Sequence, residues 1–132
     1  IFTTKDNRLK PSTGTTALCS MLRMGLRCQV ALINAGCVRA GRDYDPDEFF
    51  TWSDMKAELP YSTNMCVWPI PGKVLQDTIQ YSRRLAPKKI ATGGYIHTSR
   101  TTICSEDGQI ESILGQPFDR DKDYLTAFPH GF

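Results

Sequence analysis

A short turn that contains an amide, a glycine and an arginine carries the clearest chemical signal in the sequence. Gln29 and the four apolar residues after it predict a short buried strand over residues 29–33, and Asn34 follows at its C-terminal end. Gly36 permits backbone conformations that a Cβ would forbid, and Arg39 falls in the same turn. An amide and a planar guanidinium that face one space suit a phosphate or a nucleotide. The same residues would equally serve as a turn cap and a solvated charge, so two interpretations stay open.

Three helices are predicted in the first two thirds of the chain. The first covers residues 16–26, with the threonine pair 15–16 as its N-cap candidates. Ser53 caps a short second helix, which Pro60 ends because proline pushes the preceding residue out of the α region. The third helix begins near Gly72 and presents apolar residues on one face.

Most of the predicted strands come late in the chain. Besides residues 29–33, they are residues 65–68, 95–98, 101–104, 109–114 and 124–128. Helices that come early and strands that come late indicate an α+β domain with a mixed β-sheet rather than a doubly wound parallel sheet. A chain of 132 residues, 40% of them hydrophobic, can bury one core, so we expect residues 1–132 to form a single domain.

Charge and hydropathy exclude two classes of partner. A formal net charge of +2 is too small to indicate a nucleic acid, and we interpret the basic residues 83–84 and 88–89 as a solvated helix end. No apolar run approaches the ~20 residues of a membrane span. The composition leaves the cellular compartment open.

Metal-binding and catalytic patterns are weak throughout the sequence. The five cysteines are an odd number without Cys-x-x-Cys spacing, so we expect buried free thiols and no metal site. His97 and His130 are the only histidines; neither belongs to a metal-binding cluster or a recognisable nucleophile–base pair. The acidic residues 43–48 resemble a calcium loop, but Glu48 stands where that loop needs glycine. We therefore expect no metal and no catalytic residue in this chain.

Several segments, in the same order along the chain, resemble the C-terminal domain of the 5'-nucleotidase family. They are Arg8-Leu9-Lys10-Pro11-Ser12 with the following helix, Asn34-Ala35-Gly36-Cys37-Val38-Arg39, residues 50–61 ending in Leu-Pro-Tyr, Pro71-Gly72-Lys73-Val74-Leu75, and Gly93-Gly94-Tyr95-Ile96-His97. Together they cover nearly the whole chain. The resemblance implies the α+β fold of that domain, with a mixed sheet packed against helices.

The resemblance also implies a substrate-binding role for five residues. Arg8 and Arg39 stand where the family directs guanidinium groups towards the phosphate and sugar of a nucleotide, and Asn34 matches a substrate-contacting amide. Tyr61 stands where the family places an aromatic ring against the base. Gly93 matches a glycine that lets the backbone approach the ligand.

Two of these residues have an alternative role, and the sequence differs from the family pattern at two places. Tyr61 would otherwise pack in the core beside Trp68, and Arg8 would otherwise belong to a disordered terminus. Ala35 replaces a glycine that is common in the family turn. The chain stops before the family's Gly-Gly-Asp, and whether Phe132 supplies a second base-stacking ring stays open.

The resemblance implies that the chemistry belongs to a separate domain. Members of the family hydrolyse phosphate esters at a pair of divalent metals in an N-terminal metallophosphoesterase domain, which is absent from this chain. The expected partners are a nucleotide or other phosphate-ester substrate and that domain, and the chain alone is expected to be inactive. The alternatives are a non-catalytic nucleotide-binding module and a structural or dimerisation module.

Overall fold

The computed structural model describes residues 2–131 as nine strands, three α-helices and two 3₁₀ turns. In chain order they are β1 (Phe2–Thr3), α1 (Thr13–Gly25), β2 (Val30–Asn34), the turn Ala35–Cys37, β3 (Asp43–Tyr44), α2 (Trp52–Glu58), β4 (Met65–Pro71), α3 (Gly72–Arg83), the turn Ala86–Lys88, β5 (Ile96–Thr98), β6 (Thr102–Cys104), β7 (Ile110–Ile113), β8 (Gln116–Pro117) and β9 (Asp123–Pro129).

A four-stranded sheet in the order β4-β9-β2-β5 forms the centre of the domain. Strands β2 and β9 are parallel, and the other neighbours are antiparallel, so the sheet is mixed. Two smaller sheets, β1-β3 and β6-β7-β8, complete the fold. The expectation of an α+β domain with a mixed sheet is confirmed.

The alternation of side chains along β2 divides the core between two helices. Leu32 packs with Leu75 and Ile79 of α3 on one face of the sheet. Ile33 packs with Leu18 of α1 on the other face. Because successive strand residues point to opposite faces, one apolar strand supports both helix layers. Each such fully buried side chain stabilises the fold by about 1.5–3 kcal/mol.

Two helices begin at different residues from those expected, because the residue that caps each helix lies further upstream. Ser12 caps α1 by accepting a hydrogen bond from the Thr15 amide at 3.3 Å. Thr51, not Ser53, caps α2: it accepts from the Asp54 amide at 3.2 Å. The Asp54 carboxylate accepts from the Thr51 amide at 2.8 Å and so completes a capping box.

The interpretation of the basic cluster as a solvated helix end is wrong for Arg83. This residue follows Ile79 by four positions, so it lies on the buried face of α3, and its side chain is 4% exposed. Its guanidinium donates to the carbonyls of Ile96 at 3.2 Å and Ser105 at 3.4 Å, and lies 5.1 Å from the Tyr95 ring centroid. The other three cations of the cluster are exposed, as expected.

Two of the five cysteines fit the expectation of buried thiols. Cys19 and Cys28 are buried, whereas Cys37, Cys66 and Cys104 are partly exposed; all five are free. In the part of the chain that the structure describes, no helix has the length and apolar character needed to cross a membrane.

The buried His97 predicts a loss of stability in acid. Its side chain is 1% exposed, and Nε2 lies 2.6 Å from the Asn7 carbonyl oxygen, so Nε2 carries the proton of a neutral ring. Burial, and to a smaller extent the Arg83 charge, lower the pKa of His97 from 6.5 to about 4. The buried neutral ring contributes to the free energy of unfolding. This contribution is complete above 6.5, the pKa of His97 in the unfolded chain, and is lost as pH falls from 6.5 to about 4. It amounts to about 3 kcal/mol.

Urea unfolding at several pH values checks this expectation against a matched histidine. His97→Gln should remove this part of the acid dependence, whereas His130→Gln, at an exposed position, should retain it. An acid dependence that is the same in wild type and His97→Gln would contradict the assignment.

Candidate functional site

Two loops meet through their glycines at the C-terminal end of β2. The Gly93 carbonyl accepts hydrogen bonds from the Gly36 amide at 2.9 Å and from Asn34 Nδ2 at 3.2 Å. A Cβ on Gly36 would lie 3.1 Å from Asn34 Nδ2 and 3.4 Å from the Gly93 oxygen. A side chain at Gly36 would therefore crowd the Asn34 amide, which holds the junction, while its distance from the Gly93 loop would be an ordinary contact. Asn34 and Gly93, predicted separately, share this contact.

Arg39 and Tyr61 form a contact pair beside this junction. Arg39 Nε donates to the Gly36 carbonyl at 2.8 Å, and its guanidinium carbon lies 5.2 Å from the Tyr61 ring centroid. The hydrogen bond uses one of five guanidinium donors, so the group keeps donors for a ligand. A cation–π contact of this kind at an exposed site contributes about 0.5–1 kcal/mol.

The alternative that packs Tyr61 in the core is wrong. Tyr61 is 62% exposed, and Trp68, its suggested neighbour, is 67% exposed. Tyr61 follows α2 and Pro60, in a segment that is neither helix nor strand. Solvent can therefore reach the Tyr61 ring, which lies next to the Arg39 guanidinium.

Glu58, which the sequence reasoning missed, holds the Arg39 and Tyr61 segments together. Its side chain is completely buried, and Oε1 accepts from the hydroxyls of Thr4 at 2.7 Å and Tyr44 at 2.5 Å. Oε2 accepts from the Ala40 amide at 3.3 Å, and the Glu58 carbonyl accepts from the Arg39 amide at 2.9 Å. Burial, and then the Glu58 carboxylate, raise the pKa of the Tyr44 hydroxyl above its ordinary value, so it remains a donor.

A local signal for Glu58 was present in the sequence. Glu58 follows Met55 by three positions on α2, and Met55 packs against the core cluster of Leu18 and Ile33. Residues three apart share a helix face, so the carboxylate had to be buried with Met55. Acidic residues are rarely buried, and the usual expectation of a solvated glutamate concealed it.

Arg8 stands apart from the other four predicted residues. It is half-buried in a turn in which the Leu9 amide donates to the Asp6 carbonyl at 2.9 Å. The preceding Asn7 is buried, and its Nδ2 donates to the Val38 carbonyl at 3.2 Å, next to Arg39. Among residues 2–131, no hydrogen bond or ring contact joins the Arg8 side chain to the other four. The Asn7–Val38 hydrogen bond therefore connects the segment of Arg8 to the Arg39 loop, but the Arg8 side chain contacts none of the other four predicted residues.

A groove of about 1080 Å³ runs between α3 and the central sheet, and we call it the α3 groove. Asn34 and Gly93 line one part of it, and Val74 and Tyr81 of α3 line another. Its volume suits a ligand the size of a nucleotide. The Arg39–Tyr61 pair does not line it. Phe132, the candidate second ring, lies outside the residues that the structure describes.

Metal-binding groups are not assembled in the described part of the chain. Among residues 2–131, no three His, Cys, Asp or Glu side chains form a group that could hold a metal ion. Asp43 of the acidic region pairs with Lys5 at 2.6 Å instead, and Asp54 on α2 pairs with Arg42 at 3.2 Å. The calcium interpretation gains no support from these contacts.

Comparison with known proteins identifies the family. Residues 2–130 match the family described as 5'-nucleotidase, C-terminal domain. A search of curated protein sequences finds no match. Solved structures share the fold, and two of them are nucleotidases. NAD nucleotidase from Haemophilus influenzae has a TM-score of 0.65 and 16% identity, covering 95% of this chain and 23% of that chain.

The second structure is the 5'-nucleotidase precursor from Thermus thermophilus. It has a TM-score of 0.61 and 16% identity, and the match covers 86% of this chain and 24% of that chain. This chain thus spans about a quarter of the length of either structure. The chain belongs to the 5'-nucleotidase C-terminal domain family, and the expected fold is confirmed.

Removal of the Glu58 carboxylate should destabilise the domain strongly. Glu58→Ala leaves two hydroxyls and one amide without their acceptor and opens a cavity, so the free energy of unfolding should fall by about 3–4 kcal/mol. Glu58→Gln keeps the shape and should cost about half as much. Urea unfolding measures both changes.

Glu48→Ala, at an exposed position, is the control, and its free energy of unfolding should stay within about 0.5 kcal/mol of wild type. A Glu58→Ala variant that matches this control would contradict the role of Glu58.

Proposed function

We propose that this chain is the substrate-binding domain of a metal-dependent phosphoesterase that hydrolyses nucleotides, with the Arg39–Tyr61 pair as its nucleotide contact. The observation that carries the proposal is the exposed Tyr61 ring with a guanidinium 5.2 Å from its centroid. A flat π-face suits a nucleobase, and a guanidinium suits a phosphate or a sugar hydroxyl. Membership of the 5'-nucleotidase C-terminal domain family supports this use of the pair.

The other predicted residues have distinct parts in this proposal. Gly93 lines the α3 groove, where a ligand would meet backbone rather than a side chain. Asn34 fixes the loop junction by donating to the Gly93 carbonyl and accepting from Cys37 Sγ at 3.1 Å, and it also lines the groove. Arg8 supplies a second cation for the phosphate side, from a segment fastened beside Arg39.

The catalytic step belongs, in this proposal, to a partner domain. Residues 1–132 would form one domain, and an N-terminal metallophosphoesterase domain would hold a pair of divalent metals, whose contribution would be the activation of water for hydrolysis of the phosphate ester. The support for this division is the length of the two nucleotidases with the same fold, which is about four times that of the segment they share with this chain. The proposed role of the whole protein is nucleotide catabolism.

Substitution of the contact pair should weaken nucleotide binding in two different ways. Arg39→Ala removes a charge-assisted contact, so affinity should fall by about 1.5–3 kcal/mol and become less sensitive to salt. Tyr61→Ala removes base stacking, so affinity should fall by about 1–3 kcal/mol with little change in salt dependence. Calorimetric titration of the full-length protein with a non-hydrolysable nucleotide at two salt concentrations measures both effects.

The chain offers a control pair on α2. Lys56 Nζ lies 5.9 Å from the Trp52 ring centroid, Trp52 is 71% exposed, and neither residue lines the α3 groove. Lys56→Ala and Trp52→Ala should bind the nucleotide like wild type. If these two weaken binding as much as the Arg39 and Tyr61 variants, the loss is not specific to the contact pair and the proposal is wrong. If none of the four matters, a structural or dimerisation module replaces the nucleotide-binding proposal.

A further inference from the structure

The side-chain amide of Asn34 is held at both of its ends. Nδ2 donates to the Gly93 carbonyl at 3.2 Å, and Oδ1 accepts from Cys37 Sγ at 3.1 Å. Asn34 ends β2 and Cys37 ends the 3₁₀ turn that follows, so the turn brings the thiol back to the amide. Both side chains are half-buried and line the α3 groove. The amide therefore reaches the groove in one defined orientation.

The contact with Gly93 does not by itself fix the rotation of the Asn34 amide. The χ2 torsion of asparagine is broad, because it joins an sp³ and an sp² carbon, so an amide anchored only at Nδ2 can pivot about that hydrogen bond. The Gly93 carbonyl also accepts from the Gly36 amide at 2.9 Å, so both of its lone pairs are used. A second anchor, on Oδ1, is needed to hold the plane of the amide, and Cys37 supplies it.

The Cys37 thiol has the protonation state that this contact requires. Burial raises the pKa of Cys37 above its ordinary value, and the Arg39 charge opposes this shift to a smaller extent. At neutral pH the thiol is therefore protonated, and Sγ–H can donate to the Asn34 oxygen. A thiolate, by contrast, would carry no proton and would repel that oxygen.

The two anchors leave one donor and one acceptor of the Asn34 amide for a ligand. One of the two Nδ2 protons is used by Gly93, and one of the two Oδ1 lone pairs is used by Cys37. A ligand group that pairs with both remaining sites has an acceptor beside a donor. The same turn carries Gly36, whose carbonyl accepts from Arg39 Nε at 2.8 Å, so one turn presents both the amide and the guanidinium.

We propose that Cys37 is a positioning residue of the nucleotide site: its thiol orients the Asn34 amide, and the amide contacts the nucleotide. This inference rests on the proposed function, because it takes the nucleotide to reach Asn34 in the α3 groove. Cys37 acts through Asn34 and needs no contact of its own with the ligand. The property that matters at position 37 is therefore a hydrogen-bond donor, and not the reactivity of the sulfur.

NMR of the side-chain amides of the ¹⁵N-labelled chain tests the orientation without a ligand. The chain has three asparagines, so the Asn34 resonances are assigned by their loss in Asn34→Ala. Cys37→Ala removes the donor, and Cys37→Val removes it while filling the space of the thiol. Both should shift the Asn34 side-chain resonances and leave those of the exposed Asn64 in place. Cys37→Ser, whose hydroxyl donates, should shift them least. A Ser variant displaced as far as the Ala and Val variants overturns the proposal.

Nucleotide affinity then shows whether Cys37 acts through Asn34. In calorimetric titrations of the full-length protein with a non-hydrolysable nucleotide, Cys37→Ala and Cys37→Val should bind about threefold more weakly than wild type, and Cys37→Ser should bind like wild type. In an Asn34→Ala background, Cys37→Ala should have no further effect, because the group that the thiol orients is gone. Cys66 is a partly exposed free thiol outside the α3 groove, so Cys66→Ala is the control and should bind like wild type.

The outcomes separate this inference from the proposed function. Wild-type affinity of the Cys37→Ala and Cys37→Val variants, or a further loss of affinity in the Asn34→Ala background, overturns the positioning role and leaves the proposed function standing. A wild-type protein that binds no nucleotide overturns the proposed function, and the positioning role with it.

Discussion

The arrangement of the candidate nucleotide site depends on the buried carboxylate of Glu58. Its three donors come from three separate segments: Thr4 after β1, Ala40 in the arginine loop, and Tyr44 at the end of β3. A carboxylate can be buried only if its lone pairs are satisfied, so these segments have to converge on α2. The Arg39 amide binds the carbonyl of the same residue, and Tyr61 follows three positions later. Glu58 therefore positions both the segment of Arg39 and the segment of Tyr61.

The alternation of the central strands separates the α3 groove from the buried histidine. In β2 and β5, the paired residues Asn34 and Ile96 line the α3 groove. His97, the next residue of β5, pairs with Ile33 and points to the opposite face, where its ring meets the Asn7 carbonyl. A ligand in the α3 groove therefore lies on the side of β5 away from the His97 ring.

Local patterns predicted the parts of the fold that depend on sequence neighbours. The apolar run before Asn34 predicted β2, and its alternation divides the core between α1 and α3. Gly36 was expected to allow a backbone conformation that a Cβ would forbid, but its φ is not positive; its amide instead donates to the Gly93 carbonyl. The family resemblance placed Arg39 and Tyr61 on a common ligand, and they lie in contact; their binding role stays a prediction.

Features that depend on distant parts of the chain were not predictable from these patterns. Strands β1 and β3 have two residues each and pair across about forty positions, too short for any periodic signal. Arg83 was taken for a helix-end cation, because its acceptors, Ile96 and Ser105, lie 13 and 22 positions away. Pro69 lies within β4, which runs three residues past its predicted end; an edge strand tolerates proline, but the sheet order is needed to know that β4 is an edge.

The most direct test of this account is an amide NMR titration of the ¹⁵N-labelled chain with a non-hydrolysable nucleoside monophosphate. The account predicts that the largest shifts fall on Gly36, Arg39, Tyr61 and Gly93, the residues that Glu58 and the loop junction hold together. Shifts confined to the outer turns of α3 or to the edge of β5 would contradict it. So would a titration in which the amides of Arg39 and Tyr61 do not move.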